Sequence, residues 1–300
     1  MITKNEVNKD MSGLPFDDRD GYIWFNGEII QWRDAKIHVL SHGLHYASSV
    51  FEGERAYNGK IFKLTEHSER LKKSAEILGF EIPYSVEQID KFTMDILEKQ
   101  GIKDGYIRPV AWLGSEYMKI YRQGNVPNLA IAAWEWPAYF PEELYKTGIS
   151  LCWSNWKRPA PDTAPTSAKA AGLYMICTMS KRQAEEGGYH DAMMLDYRGY
   201  IAEATGANFF MVLNGELHTP MADCFLDGIT RRTIISLAKE LGITVVERRI
   251  KPVDLHDATE AFLTGTAAEL TPVGSIGEYK FTPGEITQKL KNAYHNLVRS

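Results

Sequence analysis

Three Asn-Gly dipeptides, Asn26-Gly27, Asn58-Gly59 and Asn214-Gly215, constrain this chain more than any other feature. A two-residue hairpin turn of type I′ needs positive φ at both central positions. Asn tolerates that region and Gly enters it freely. The first pair separates Tyr22–Phe25 from Glu28–Trp32, the second separates Glu54–Tyr57 from Lys60–Leu64, and the third follows the apolar run Asn208–Leu213. Local antiparallel hairpins of this kind argue against a doubly wound parallel sheet and for an α+β fold.

Helical periodicity fills the gaps. A helix is predicted from Thr65, with Leu71, Ala75 and Leu78 inward and Gly79 as its stop. Ser85-x-x-Gln88 reads as a capping box for a second, which turns Ile89, Phe92 and Ile96 inward. Further helices are expected over Lys169–Glu186, from Thr230 (burying Ile234, Leu237 and Leu241), and at the C-terminus (Ile286, Leu290, Ala293 and Leu297 on one side). Strands are expected over 105–113, 129–136, 150–156, 191–196, 244–248 and 261–264. The proline-bearing stretch around Pro137 and Pro141 marks a boundary. The expected organisation is a flexible leader over 1–20, a small domain over 21–138, a linker over 139–148 and a large domain over 149–300.

At 300 residues and a formal net charge of -5, with no long run of one sign, the chain has nothing to draw it onto nucleic acid or an anionic membrane. No stretch is apolar enough to span a bilayer, and the N-terminus lacks the apolar core of a secretion signal. Cys152, Cys177 and Cys224 are scattered and odd in number, as expected of reduced thiols in the cytoplasm. Dinucleotide, phosphate-loop, nucleophile-elbow and zinc-protease motifs are all missing. His38, His42 and His45 lie close in sequence, but strand and loop spacing does not converge their rings, so they are taken as ordinary histidines and no metal is expected.

Four segments carry candidate chemistry. Lys169 sits among small residues in Thr166-Ser-Ala-Lys-Ala-Ala-Gly, where a flat ring can approach the backbone. Glu203 stands beside small residues just before an apolar strand. Gly228-Ile229-Thr230 is a glycine turn opening a helix, whose free N–H groups suit a phosphate. Thr264-Gly265-Thr266-Ala267-Ala268 follows a strand and offers a second cradle of N–H groups. Each alone also reads as a solvated lysine, a turn glutamate or a plain helix cap.

Together they resemble the class IV aminotransferases, the fold type IV enzymes that use pyridoxal 5'-phosphate (PLP). The family pattern runs through Glu203, Thr205, Asn208, Phe209 and Phe210, then Leu217-His218-Thr219, then Leu226-Asp-Gly228-Ile229-Thr230-Arg231. Within the class the chain is most similar to the branched-chain branch, through Ser41–Tyr57, Tyr106-Ile-Arg108-Pro109 and Gly265–Pro272.

The resemblance implies a two-domain, D-amino-acid-aminotransferase-like fold with a smaller N-terminal α/β domain and a larger barrel-like C-terminal domain. It implies transfer of the amino group of leucine, isoleucine or valine to 2-oxoglutarate, in a homodimer or higher homo-oligomer. Lys169 would be the catalytic Schiff-base lysine. Glu203 would meet the pyridine nitrogen and Tyr174 the phenolic oxygen, while Arg70, Gly228, Ile229, Thr230 and Thr266 would hold the phosphate. Substrate would be met by Tyr46, Phe51, Gly53, Arg55, Tyr106, Arg108, Trp136, Tyr139, Thr266 and Ala267. Two positions depart from relatives: Ala207, where many carry a glutamate that does not contact substrate, and Glu54, where some are aliphatic and where a shifted substrate range is expected. A D-amino-acid aminotransferase, an amine transaminase or a 4-amino-4-deoxychorismate lyase would share the cofactor set, and a non-catalytic binding protein on the same fold would have no need of it.

Overall fold

All three Asn-Gly pairs turn through positive φ in the computed structural model, with Asn26, Asn58 and Asn214 at 49°, 52° and 53°. The structure describes residues 15–121, 123–136 and 140–300. Residues 1–14 of the expected leader, positions 122, 137 and 138 of the expected small domain, with its boundary proline Pro137, and position 139 of the expected linker therefore lie outside the described residues.

The first sheet has seven strands. These are β1 (Tyr22–Phe25), β2 (Glu28–Gln31), β3 (Ser49–Phe51), β4 (Glu54–Tyr57), β5 (Lys60–Ile61), β6 (Gly105–Leu113) and β7 (Pro127–Glu135). Their order is β2-β1-β7-β6-β4-β5, with β3 beside β6. A short helix α1 (His42–Tyr46) precedes β3, while α2 (Leu64–Ile77) and α3 (Val86–Lys99) cover the sheet. The capping box forms as read, with Gln88 N donating to Ser85 Oγ and Ser85 N to Gln88 Oε1. Leu71, Ala75, Ile89 and Ile96 are fully buried against the strands.

After α4 (Leu144–Thr147) the chain builds a nine-stranded sheet from β8 (Ile149–Trp153), β9 (Asp191–Leu195), β10 (Ile201–Ala204), β11 (Asn208–Leu213), β12 (Glu216–Pro220), β13 (Val245–Arg248), β14 (Glu260–Gly265), β15 (Glu269–Ile276) and β16 (Tyr279–Lys280). Strands β10, β9, β8, β15, β14 and β11 follow one another, and β10 pairs again with β11, so this ring closes like a barrel. The closing pair is Glu203 opposite Asn208. Helices α5 (Met175–Glu186), α6 (Ile229–Glu240) and α7 (Glu285–Val298) complete the chain. The result is a mixed α+β fold with one open and one barrel-like sheet.

Several expectations shift. Lys169 does not open a helix: Ala170 is extended (φ -92°, ψ 135°) and bridges Val50 of β3, and only after a 3-10 turn at Ala171–Tyr174 does α5 begin. Strand β8 stops at Trp153 rather than at Trp156. β10 is a strand that periodicity missed. Leu241 caps α6 and is 48% exposed, because the helix ends one residue earlier. On α7 the buried line runs Leu290, Tyr294 and Val298, leaving Leu297 exposed. His42 lies in α1, buried, with ring nitrogens on Ser48 Oγ and the Lys119 carbonyl, whereas His38 and His45 are exposed.

Glu54 turns away from the faces of Gly53 and Arg55, as alternation along β4 demands. It is fully buried and neither carboxylate oxygen has a hydrogen-bond partner among the described residues. It does not line the cleft described below, so the expected link to substrate range is not supported by its position. Burial pushes its carboxyl well above the usual range, and the charges of Glu52 and Asp90 push the same way against Arg70. The folded state therefore holds this proton more tightly than the unfolded chain. Its contribution is fully present below about pH 4.5 and is lost as pH rises toward the folded value. Glu54→Gln is expected to melt close to wild type at pH 4.5, and at pH 8 at least about 3 °C higher than wild type. Equal differences at the two pH values would remove this account of Glu54.

Candidate active site

Between the two sheets the chain runs through Lys169, and its backbone is fixed from both sides. Phe51 N donates to the Lys169 carbonyl at 3.1 Å, and Lys169 N donates to Ser74 Oγ of α2 at 2.9 Å. Small residues at 168 and 170 are needed because both are buried at this crossing. The Lys169 Nζ donates to the Tyr174 hydroxyl at 2.7 Å and stands 4.9 Å from the Phe51 ring.

Lys169 lines a cleft. Arg70, Tyr174, Glu203, Gly228, Ile229, Thr230 and Thr266 line it as well, so every residue expected at the cofactor reaches one space. Arg70 is fixed by Glu52, to which its Nε and Nη2 donate at 2.6 and 2.7 Å; His67 Nδ1 joins the same carboxylate at 2.7 Å. Burial works against the charge on Glu52, but Arg70 and His67 outweigh it and hold the carboxyl far below its ordinary value. Helix α6 begins at Gly228 with no side chain capping it, which leaves its first N–H groups free at the cleft. A Cβ at 228 would lie 2.2 Å from Asn208 Oδ1, so only glycine fits there. Thr264 Oγ1 is buried in the lining without a partner among the described residues.

Glu203 sits at the barrel seam, its side chain 12% exposed. Burial raises its carboxyl to about 7, with the charges of Arg158 and then Lys169 pulling it down. Asn208 Nδ2 donates to Glu203 Oε2 at 3.1 Å and to the Leu226 carbonyl at 3.0 Å, joining the acid to the turn before α6. Arg158 Nε lies 3.3 Å from Glu203 Oε1, close enough for charge pairing though its N–H is not aligned for a hydrogen bond. Sequence reasoning missed Arg158, which is buried in the Pro/Ala-rich loop with no local signal. It also missed Glu52, which holds Arg70, and His67, which binds the same carboxylate.

The expected substrate residues form a row beside the cleft. Arg108 lies 4.7 Å over the Phe51 ring, and its Nη2 donates to the Tyr106 hydroxyl at 3.0 Å. A Cβ at Gly53 would fall 2.0 Å from that hydroxyl, so the ring's position requires glycine. Trp136 packs 5.3 Å from Tyr106. Arg55 Nη1 donates to the Ala267 carbonyl at 3.2 Å, which ties the turn Thr266–Ala268 to β4. Tyr46 is not brought to the row: it is 43% exposed on α1. Tyr139 lies outside the described residues. Ala207 lines the cleft, so this departure from relatives falls inside the site rather than beside it.

An acid, an arginine, an open helix N-terminus and a lysine amine in one cleft are the donor set that PLP requires, and the free N–H groups and orphaned Thr264 hydroxyl fit a bound group. Comparison with known proteins agrees. The amino-transferase class IV family model matches residues 49–276. A probable branched-chain-amino-acid aminotransferase of Rickettsia bellii is 47% identical over 282 residues, which cover 93% of this chain and 96% of that protein. The crystal structure of the Escherichia coli branched-chain amino acid aminotransferase superposes with a TM-score of 0.88 at 40% identity, covering 93% of this chain and 95% of its own. The branched-chain amino acid aminotransferase of Thermobaculum terrenum, crystallised in its PLP-bound holo form, gives 0.85 at 31% identity, with 94% and 95% covered.

Proposed function

Because the chain belongs to the class IV aminotransferases, we propose that it moves the amino group of leucine, isoleucine or valine to 2-oxoglutarate, giving the branched-chain 2-oxo acid and L-glutamate with PLP as cofactor. The observation that carries this reading is the convergence of Lys169, Glu203, Arg70 and the start of α6 on one cleft.

When bound, PLP supplies an electron sink for the charge left at the substrate Cα when its proton departs. Lys169 Nζ takes that proton and returns it, and the bond to Tyr174 keeps the amine aimed. Glu203, as a carboxylate, holds a proton at the ring nitrogen. Arg70 and the N–H groups of Ile229, Thr230 and Thr266 bind the phosphate. Tyr106 and the N–H groups of Thr266 and Ala267 bind the α-carboxylate. Arg108 pairs with the second carboxylate of glutamate, and Phe51 and Trp136 wall the aliphatic side chain. Gly53 and Arg55 shape this wall, Gly53 by leaving room for Tyr106.

The proposal includes a homodimer or higher homo-oligomer, supported by the exposed apolar residues Ile37, Val39, Leu40 and Leu44 around α1, with Tyr46 beside them. It also includes the division into a small domain over 21–138, a linker over 139–148 and a large domain over 149–300, supported by the two separate sheets. A cytoplasmic location is proposed from three cysteines that form no disulfide. No helix among the described residues is long and apolar enough to cross a membrane.

The test is the visible spectrum of protein loaded with PLP. L-leucine is expected to bleach the cofactor band, 2-oxoglutarate to restore it, and D-leucine to leave it unchanged. A response to D-leucine alone would move the protein to the D-amino-acid branch. No band in folded protein with excess PLP would overturn the reading.

A further inference from the structure

The segment before β1 lies outside the span matched by the family model, and none of the roles given above touches it. Its Phe16 is 47% exposed and belongs to none of the hydrophobic clusters of buried residues. Yet the residue is held in place: Trp32 Nε1, on a side chain only 6% exposed, donates to the Phe16 carbonyl at 2.5 Å. Asp18 N closes a turn onto the Pro15 carbonyl, and Arg19 lies 3.6 Å over the Phe16 ring. Arg33 pairs with Asp18 and Asp20, but these ion pairs are exposed and add little.

The ring so placed meets Trp134 edge-on, with centroids 5.2 Å apart. Trp134 is the register partner of Tyr106 across β6 and β7, and their rings are also 5.2 Å apart. Trp136 closes the group at 5.3 Å from Tyr106 and 6.1 Å from Trp134. From Tyr106 the contacts continue through Arg108 and Phe51 to Lys169. The row of substrate residues therefore ends on Phe16. A flat ring on a sheet face is free to tilt unless something backs it, and Trp134 is backed here by Phe16.

We infer that Phe16 is a positioning residue for substrate, setting the tilt of Trp134 and through it the placement of Tyr106. This rests on the proposed reading of Tyr106 as a carboxylate-binding group. The acid bound would be any short 2-amino or 2-oxo acid the enzyme takes, so the effect falls on binding and leaves the proton transfers at Lys169 alone.

The experiment compares holoenzyme carrying Phe16→Ala, Phe16→Tyr or the native residue. Two quantities are read: KM and kcat with leucine, and the Kd of 4-methylvalerate, an unreactive leucine analogue, from tryptophan fluorescence. Loss of one edge-on aromatic contact predicts a rise in KM and Kd of roughly twofold to tenfold for Phe16→Ala. It also predicts an unchanged kcat and PLP affinity, with Phe16→Tyr restoring binding. If wild type turns over leucine and Phe16→Ala matches it in both KM and Kd, the inference fails alone. If the loss comes with an equal fall in PLP affinity or melting temperature, Phe16 is merely structural and the inference fails too. If wild type neither binds the analogue nor turns over leucine, the reading of function fails, and this inference with it.

Discussion

Lys169→Ala is expected to lower multiple-turnover transamination by at least on the order of 10³-fold, while leaving the protein folded and able to bind PLP. The separation follows from geometry. The backbone of Lys169 is held by Phe51 N and Ser74 Oγ, neither of which involves the amine, so alanine preserves both bonds. Arg70, the start of α6 and Glu203 are untouched, so the phosphate and ring sites persist. What disappears is the amine bonded to Tyr174, and with it the group that moves a proton at Cα. Two measurements check this: equilibrium dialysis of PLP, expected to show binding within about tenfold of wild type, and thermal melting, expected within a few degrees. Added methylamine should recover part of the rate by replacing the lost base. Turnover within a few-fold of wild type would remove Lys169 from the chemistry. Loss of folding would instead mean that the side chain supports the crossing between the sheets.

The same crossing explains where sequence reasoning succeeded and where it stopped. The Asn-Gly turns and the Ser85 capping box were legible because their causes lie within four residues. Glu203, Gly228 and Thr230 were legible because they fall in one contiguous pattern. Lys169 was singled out from its small neighbours but wrongly placed at the start of a helix. Alanines at 168, 170 and 171 favour helix locally, whereas the bridge from Ala170 to Val50, more than a hundred residues away, and the bond from Lys169 N to Ser74 Oγ hold the chain in extended form. β10 was missed for a related reason. Ile201–Ala204 is four residues of mixed character, and pairing with β9 and β11 makes it a strand. Leu297 was misplaced because the inward line on α7 runs through Tyr294, whose polar tip hides an otherwise buried ring. Tyr46 matched the family pattern, yet in a single chain it is 43% exposed on α1, its ring against His42. Arg158 left no trace, since a lone arginine in a Pro/Ala-rich loop is indistinguishable from a surface charge until Glu203 is seen beside it.

Arg158→Met is expected to slow both half-reactions by roughly tenfold to a thousandfold, although Arg158 lines the back of the cleft and has no assigned contact with substrate. Burial alone raises the Glu203 carboxyl, and Arg158 is the larger of the two charges opposing it. An opposite charge at this range holds a carboxyl down by about one to three units, and each unit is a factor of ten. Without it, Glu203 becomes the more basic partner and keeps the proton it should leave on the ring nitrogen. The sink then weakens in both directions of transfer, so leucine and glutamate reactions should suffer alike. Arg158→Lys retains the charge and should recover much of the rate. The guanidinium is itself buried, and its Nη1 donates to Cys177 Sγ at 3.4 Å, so some loss of stability is also expected from Met. Stability and chemistry are separated by reading the protonation of the bound ring directly, through the 15N shift of labelled cofactor. A neutral ring nitrogen in Arg158→Met and a protonated one in Arg158→Lys is the expected pair. A protonated nitrogen in both, with Met as slow as predicted, would mean that Arg158 acts through packing and that Glu203 holds its charge by other means.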